Sequence, residues 1–517
     1  MTQSSASPKA SRQHDNDADT ITDHDFNETS PLLTTVVSNQ DAYTTITNDP
    51  VRDTETAAAF AESIQSQSTM TALKTEAGIM ASSSVTMSIT FFLQYSINFA
   101  SIFAAGRIGK LELGAVALAN MTVAVTCLAP FIGLATSLDT LCAQAFGDGR
   151  KHLVGLQCQR MTLLLFVLAI PVVIFWWNSL PIFEKFLGNP ESARLVSLYL
   201  RVMSCSIPGS IIWESGKRML QAQGLFRQTT YVLLIVAPLN LFVNWFLVFK
   251  MELGFIGAPI AVCFSRTMLA ISLVLYIKFV NGYQCWGGFS ERAFTNWWPM
   301  VWLALPGMLM ILAEWGAFEI MTFLASRFGD DSLAAQSILI TSSGISFQIP
   351  FAMSVASSSR VANLIGAGLV DRAKLATKVA TLGFIIMGGV ICTLYTSLRF
   401  YVPLIFTDDE TVISIAARVM PIVGAMQVFD AIATGVNGFL RGIGKQSIGG
   451  PINVIAYYGI SLPLSLVLGI HYGWNLAGFW TGITIALVFV AVVEGIFLLW
   501  VDWDGASEEA RRRNMAN

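Results

Sequence analysis

Residues 308–326 read MLMILAEWGAFEIMTFLAS, a stretch apolar enough to lie in the interior of a lipid bilayer. The same stretch carries two acidic side chains, Glu314 and Glu319. An acidic side chain at the centre of a membrane costs roughly 2.5–3.5 kcal/mol on insertion scales, and such residues usually mark functional sites. The segment therefore predicts a membrane-spanning helix that carries part of such a site.

The composition of the whole chain is typical of a protein with many membrane spans. Of its 517 residues 54% are hydrophobic and 13% are charged, and the mean hydropathy is +0.59. Soluble proteins average about 25% charged residues. The sequence has no basic face of the kind that binds nucleic acid, so no nucleic-acid partner is predicted. Because the seven cysteines form no Cys-x-x-Cys pair and only four histidines occur, neither a disulfide framework nor a metal site is predicted.

Hydrophobic runs recur between Lys74 and Trp500, and runs of about 20 residues are long enough to cross the hydrocarbon of a bilayer. Lys and Arg are twice as frequent in the loops on the N-terminal side as in the loops on the other side, which predicts that both termini are cytosolic. The connections leave no room for a folded soluble domain. Twelve spans are predicted, over residues 77–99, 113–137, 158–180, 195–215, 229–249, 255–279, 297–325, 333–356, 375–398, 411–437, 449–470 and 475–500.

The two halves of this hydrophobic region resemble each other. A parallel repeat of six spans is a transporter architecture, with the substrate path between the two lobes. Four motifs recur at a shift of 219–220 residues, namely Pro130-Phe131 with Pro350-Phe351, Gly147-Asp-Gly149 with Gly366-Ala-Gly368, Gly224 with Gly444, and Gly254 with Gly473. The predicted fold is an all-α membrane protein of twelve transmembrane helices in two pseudo-symmetric six-helix lobes, over residues 73–285 and 286–503.

The chain outside these lobes is polar. Residues 1–72 are predicted to be a disordered cytosolic tail, because they are rich in Ser, Thr, Asp and Asn and poor in aromatic residues. With no apolar stretch near Met1, the tail is not expected to be a cleaved signal peptide. Residues 28–33, ETSPLL, fit the acidic dileucine pattern that sorting adaptors bind, through Glu28, Leu32 and Leu33; a chance match in a biased tail is the alternative. Residues 504–517 are predicted to be a cytosolic C-terminal tail.

No energy-coupling or catalytic motif accompanies the spans. The nearest approach to a phosphate-binding loop, GFLRGIGKQ at residues 438–446, departs in spacing and has Gln446 where magnesium binding needs a hydroxyl. Neither a Ser/His/Asp set nor a paired-carboxylate hydrolase set on a soluble scaffold is present. The chain is therefore not expected to be an enzyme or to need a cofactor or metal. Its transport is predicted to be driven by an ion gradient.

The acidic residues inside the predicted spans are therefore the remaining candidates for ion coupling. Glu314 and Glu319 lie about 140° apart around one helix, and Asp430 lies among small residues on the tenth span. A cavity that holds all three can exchange a proton for a cation, since burial favours a neutral carboxyl group and a nearby cation favours the charged form. The alternative is that these acids pair with membrane arginines, for which Arg201, Arg266 and Arg418 are available.

Other side chains have smaller predicted roles. Glu214 is expected to pair with Lys217 or Arg218 on the next helical turn, Glu494 to make a polar helix contact, and Asp139 to open a cytosolic loop after the second span. Aromatic faces attract organic cations, although ordinary packing is the alternative for each ring. The predicted cavity residues are Trp315, Phe318, Gln336, Asn453, Tyr457 and Tyr458.

Several blocks carry a family resemblance. The chain resembles the eukaryotic multidrug and toxic compound extrusion (MATE) transporters from about Lys74 to Arg513, with the blocks in the same order. Only the N-terminal tail lies outside the resemblance. The blocks are LDTLCAQAFG at residues 138–147, residues 310–319, residues 350–368 with SRVAN at 359–363, residues 438–446, residues 453–463, and VDWD at 501–504.

The resemblance implies twelve helices in two lobes and export of organic compounds in exchange for protons or sodium. It also implies that acids at Glu314, Glu319 and Asp430 serve proton coupling and cation binding. One departure is Thr341, where some animal members have a further glutamate, and the missing acid implies a weaker preference for organic cations. The eukaryotic-type blocks favour protons over sodium.

Together these observations predict a proton-coupled exporter of amphipathic organic compounds, such as drugs, toxins and organic cations. It is expected to work as a monomer in the plasma membrane or in a vacuolar or endosomal membrane. A lipid-linked precursor flippase of the same superfamily is one alternative, although such proteins generally have cationic cavities. A receptor or scaffold without turnover is the other, and the symmetric halves and buried acids speak against it.

Overall fold

Twelve long helices make up most of the computed structural model, which describes residues 69–187 and 189–516. Eleven of these helices are long and apolar enough to cross a membrane, and the first, α1, has 38 residues. The helices are α1 (Thr69–Gly106), α2 (Leu111–Gly147), α3 (Lys151–Trp177), α4 (Pro190–Ala222), α5 (Arg227–Lys250), α6 (Gly254–Phe279), α7 (Trp298–Phe328), α8 (Asp330–Gly366), α9 (Val370–Ser397), α10 (Glu410–Ile443), α11 (Gln446–His471) and α12 (Asn475–Trp500). The predicted all-α chain of twelve long helices is confirmed.

Two predicted spans end too early, the second and the eighth, and α8 continues to Gly366 where an end at residue 356 was predicted. The second span was expected to end at residue 137 with Asp139 in a loop, but α2 continues to Gly147. No Pro or Gly interrupts residues 138–146, and Asp139 is buried against Arg218 of α4. Because that guanidinium neutralises its charge, Asp139 has no need of bulk water. The predicted tail, including the sorting motif at Glu28, Leu32 and Leu33, lies outside the described residues except for residues 69–72, which begin α1.

The internal repeat reappears in the backbone. Each shared turn glycine has a positive φ angle, which glycine adopts far more readily than residues with a side chain. The φ angles pair as 77° and 74° at Gly149 and Gly368, 73° and 76° at Gly224 and Gly444, and 54° and 69° at Gly254 and Gly473. The α5 and α11 helices also both end in a π-helical turn, at Phe246–Lys250 and Val467–His471. The two halves are therefore copies of one six-helix unit.

The two copies meet where α2 crosses α8. Gly147 lies against the main-chain carbonyl of Asn363, and Gly366 lies against that of Gln144. These contacts are equivalent under the repeat. A Cβ atom at either glycine would collide with backbone, which is why the helices approach this closely only at glycine.

Gly147→Ala should therefore destabilise the protein, by about 1–3 kcal/mol, because the added methyl group must displace backbone. Gly389→Ala on α9 is the matched control, since its Cβ would meet no atom within 4 Å. The measurement is the thermal unfolding midpoint of both purified variants in one detergent. Equal midpoints for the two variants would contradict the tight crossing.

Each half has its own buried core. Large apolar side chains also cover the outside of the bundle; Ile174, Leu394 and Ile496 are among those exposed. Such side chains are stable there because lipid tails are as apolar as they are. The halves contact each other mainly through α1 with α8, α2 with α7, and α2 with α8.

The residues predicted as a C-terminal tail form a helix, α13 (Trp503–Met515). Its apolar side packs on α8, α9 and α10. Its last turn reaches the other half: Arg150 Nη1 donates to the Asn514 carbonyl at 2.7 Å, and Asn514 Nδ2 donates to Asp148 Oδ2 at 3.2 Å. Burial raises the pKa of Asp148, and nearby Arg150 opposes that shift. The two halves are therefore joined by α13 at this end of the bundle, which we call the α13 end.

Candidate functional site

Three acidic side chains lie well inside the helices of the C-terminal half. Glu314 is on α7 and is half-buried, Asp430 is on α10 and is 6% exposed, and Glu494 on α12 is fully buried. Glu314 and Asp430 are electrostatic neighbours, and Tyr457 of α11 lies near all three acids. Three helices thus bring together what we call the acid cluster: Glu314, Asp430 and Glu494.

Polar groups orient the buried members of the acid cluster. Asn453 Nδ2 donates to Glu494 Oε1 at 2.8 Å. The Thr434 hydroxyl neighbours the Asp430 carboxylate one turn further along α10. Arg441 is an electrostatic neighbour of Glu314 and Glu494. Asn453, predicted as a cavity residue, therefore holds one of the acids.

Pairing with membrane arginines does not account for the acids. Arg201 donates to the Trp177 carbonyl, Arg266 donates to Ser210 Oγ, and Arg418 is exposed. In the described parts of the chain, no cluster acid forms a direct ion pair. Carboxylates inside a membrane protein that form no direct ion pair are candidates for proton or cation exchange.

Glu319 lies apart from the acid cluster. It is half-buried on α7, and it has no ion pair or hydrogen bond within the described residues. Trp315 is half-buried one turn away, and the Tyr458 hydroxyl lies against Gly316 on the same helix. None of Glu319, Trp315 and Tyr458 is fully buried, and a role in substrate contact stays a prediction for them.

Two of the predicted cavity residues belong to a packed group. The Phe318 ring centre lies 6.1 Å from that of Trp480, whose Nε1 donates to Gln336 Oε1 at 2.9 Å. Gln336 is fully buried. Gln336 and Trp480 thus form a hydrogen-bonded core between α8 and α12. Contact of Phe318 or Gln336 with substrate remains a prediction.

The structure reveals functional candidates that received little weight from the sequence. Glu494 joins the acid cluster, and Arg441 lies beside it. Their partners come from distant positions, so only the rarity of charge within apolar spans marks them in the sequence.

The predicted pairing of Glu214 is confirmed, with Lys217 Nζ 2.6 Å from Glu214 Oε1. No group of His, Cys, Asp and Glu suited to a metal ion occurs among the described residues.

Comparison with known proteins places this architecture. The model of the MatE family matches residues 87–246 and 306–467, two segments that begin one repeat apart. The chain belongs to the MATE family of membrane transporters. A Schizosaccharomyces pombe protein described as an uncharacterized transporter is 38% identical over 427 residues, 82% of this chain and 79% of that protein. Multidrug and toxin extrusion protein 2 of Mus musculus is 32% identical over 420 residues, 81% of this chain and 73% of that protein.

MATE membership agrees with the solved structures. The crystal structure of the eukaryotic MATE transporter AtDTX14 superposes with a TM-score of 0.82 at 25% identity, over 86% of this chain and all of that one. The predicted fold class and family resemblance are thereby confirmed. As a MATE protein the chain is an integral, multi-pass membrane transporter of small organic substrates, and it is not an enzyme.

Proposed function

We propose that this MATE protein is a secondary active antiporter that exports amphipathic organic compounds, among them drugs, toxins and organic cations, in exchange for protons. The acid cluster carries the proposal. Three carboxyl groups from three helices lie together inside the membrane region, and none of them forms a direct ion pair within residues 69–187 and 189–516. Such groups are costly to maintain unless they bind something that crosses the membrane.

The exchange follows from the charge of the site. Neighbouring carboxylates that are shielded from water favour binding a proton, because the proton removes both desolvation and mutual repulsion. An organic cation removes the same repulsion without a proton. Glu314 is half-buried and Asp430 is 6% exposed, so we assign contact with cargo to Glu314 and proton binding to Asp430. Glu319 on the same helix is proposed to contact cargo or to assist proton transfer.

Alternating access would move this site from one side of the membrane to the other. The halves are joined at the α13 end by α13 and by the α2–α8 crossing. Parallel-repeat transporters work by rocking one half against the other around a central site. The printed name of the mouse relative, which refers to multidrug and toxin extrusion, supports organic cargo.

The flippase alternative requires cations that face the cavity. The buried Arg441 donates to Ser354 Oγ at 2.7 Å, and the half-buried Arg266 donates to Ser210 Oγ at 3.0 Å. Both guanidinium groups thus donate to protein hydroxyl groups, whereas the half-buried Glu314 forms no direct ion pair among the described residues. This arrangement favours cationic or zwitterionic cargo over lipid-linked phosphates.

Location and assembly complete the proposal. We propose a monomer with both termini in the cytosol, in a vacuolar, endosomal or plasma membrane. If Glu28, Leu32 and Leu33 bind a sorting adaptor, a fluorescent chain that begins at Ala72 should move to a different membrane from the intact chain. Identical distributions of the two would argue against the motif.

Proteoliposomes test the coupling directly. With purified protein, an imposed proton gradient should drive tetraethylammonium against its own gradient, and an imposed sodium gradient should not. Protein-free liposomes give the background. Transport driven only by sodium would overturn proton coupling, and movement of lipid-linked anions without movement of cations would favour the flippase.

A further inference from the structure

The two halves interlock through equivalent side chains at the α13 end. Gln144 of α2 donates through Nε2 to the Gly442 carbonyl at 2.9 Å, and Asn363 of α8 donates through Nδ2 to the Ala222 carbonyl at 3.3 Å. Both donors and both acceptors are related by the repeat. We call the contacts of α2 and α8 with the opposite half at this end the inter-half seam.

Charge breaks the symmetry of the inter-half seam. On one side Arg218 of α4 pairs directly with Asp139 of α2, and Arg441 of α10 lies across the seam with its Nε 3.9 Å from Asp139 Oδ2. At the corresponding positions of the other repeat stand Ser358 and Gln221, which are neutral. Two guanidinium groups from opposite halves thus share a single carboxylate, and only at one of the two equivalent places.

Arg441 connects this charge group to the acid cluster. It is 5% exposed, and its Nε has no hydrogen-bond partner among the described residues. Its charged neighbours come from four helices, Asp139 on α2, Arg218 on α4, Glu314 on α7 and Glu494 on α12, while α8 contributes only the Ser354 hydroxyl. The same guanidinium therefore interacts with the acids of the C-terminal half and with the seam.

Protonation of the acid cluster changes the net charge that Arg441 and the cluster together present to Arg218. When the cluster is ionised, its negative charges offset Arg441, and the C-terminal half faces Arg218 with an excess of negative charge. When the cluster is protonated, Arg441 and Arg218 face each other with only Asp139 between them. Like charges repel strongly in a buried site, so protonation weakens the closed seam.

We propose that Arg441 is a positioning residue that transmits the charge of the acid cluster to the inter-half seam, so that protonation of the cluster opens the α13 end. This inference rests on the proposed proton coupling and adds the part that links proton binding to movement. Protons that load the cluster in the closed state would open the α13 end, and their release there would allow it to close around cargo.

A distance measurement across the seam tests the proposal. Spin labels at Arg227→Cys on α5 and Asp371→Cys on α9 report the separation of the halves, since both positions are exposed near the α13 end. The cysteines that are not fully buried, Cys205, Cys263 and Cys392, are replaced by Ser. In liposomes without substrate, the doubly labelled protein should show a longer-distance population at acidic pH that is lost at alkaline pH.

Substitutions at Arg441 separate coupling from simple support. Arg441→Gln should give the same distance distribution at both pH values, whereas Arg441→Lys, which keeps the charge, should retain the pH response. Arg360→Gln is the matched control, because Arg360 also bridges the halves, donating to Glu76 of α1 through Nε at 2.9 Å. It should raise the open population at both pH values and keep the pH response.

Each outcome of these distance measurements supports or contradicts a particular part of the proposal. A full pH response in Arg441→Gln overturns the role of Arg441. A distance that never responds to pH, in protein whose proton-driven transport is intact, overturns the link between cluster and seam but leaves the proposed function standing. If Arg441→Gln does not fold, Asp139→Asn is used: removing the shared carboxylate should move the opening to higher pH, and an unchanged midpoint overturns the proposal.

Discussion

Asp430→Asn is expected to abolish proton-driven exchange while the protein still folds. Asparagine has nearly the same shape and keeps an oxygen that can accept from Thr434, but it cannot bind and release a proton. The side chain is 6% exposed, so bulk water does not readily substitute for it beside Glu314. Tetraethylammonium exchange in proteoliposomes under an imposed proton gradient should fall to the rate of protein-free liposomes.

An exposed acid of the same half provides the control. Asp331 lies at the start of α8 and is exposed. Asp331→Asn should transport at the wild-type rate, and both variants should have thermal midpoints close to that of the unmodified protein. Wild-type exchange by Asp430→Asn would refute its role in coupling, and a large loss of thermal stability would show that it is needed for folding.

Much of the fold follows from the sequence because a membrane restricts the choices. Backbone groups inside hydrocarbon must be satisfied within the segment, so long apolar runs become helices. The repeat was readable because turns such as those at Gly224 and Gly444 need a positive φ angle, which fixes glycine at equivalent places. The acids Glu314 and Asp430 were readable for a related reason, since charge within an apolar run is rare.

Ion pairs and hydrogen bonds between residues far apart in the chain could not be predicted from the sequence. Residues 138–147 contain Asp139 and looked like a loop, and only the fold brings Arg218, 79 positions away, to neutralise that acid. Glu494 was assigned a minor role because its partner Asn453 lies on another helix, 41 positions away. Whether a buried charge is neutralised is therefore a property of the tertiary structure, which composition and spacing cannot express.

The distribution of partners divides the two halves by role. Five Asp and Glu side chains are buried in the part of the chain that the structure describes. The three in the N-terminal half each pair directly with a cation: Glu76 with Arg360, Asp139 with Arg218, and Glu214 with Lys217. The two in the C-terminal half, Asp430 and Glu494, have no such partner among the residues that the structure describes. The repeat thus supplies one half with acids that cations neutralise directly, and the other with the acids to which the proposed function assigns ion exchange.

Lys217→Met tests the structural side of this division, and a large loss of stability is expected. Lys217 and Glu214 lie one turn apart on α4, both buried. Methionine is similar in size but leaves Glu214 without its cation, and removing one partner of a buried pair typically costs about 3–5 kcal/mol. The thermal midpoint of the purified variant in detergent should fall well below that of the unmodified protein.

The double variant Glu214→Gln with Lys217→Met separates the pair from the packing of the lysine. Replacing both charges leaves no uncompensated ion, and exchanging a whole buried pair for neutral groups is often neutral or stabilising. The double variant should therefore recover most of the lost midpoint. If it is as unstable as Lys217→Met alone, the loss comes from packing of the Lys217 stem, including its approach to Phe91 at 5.9 Å, and neutralisation of Glu214 is not what stabilises α4.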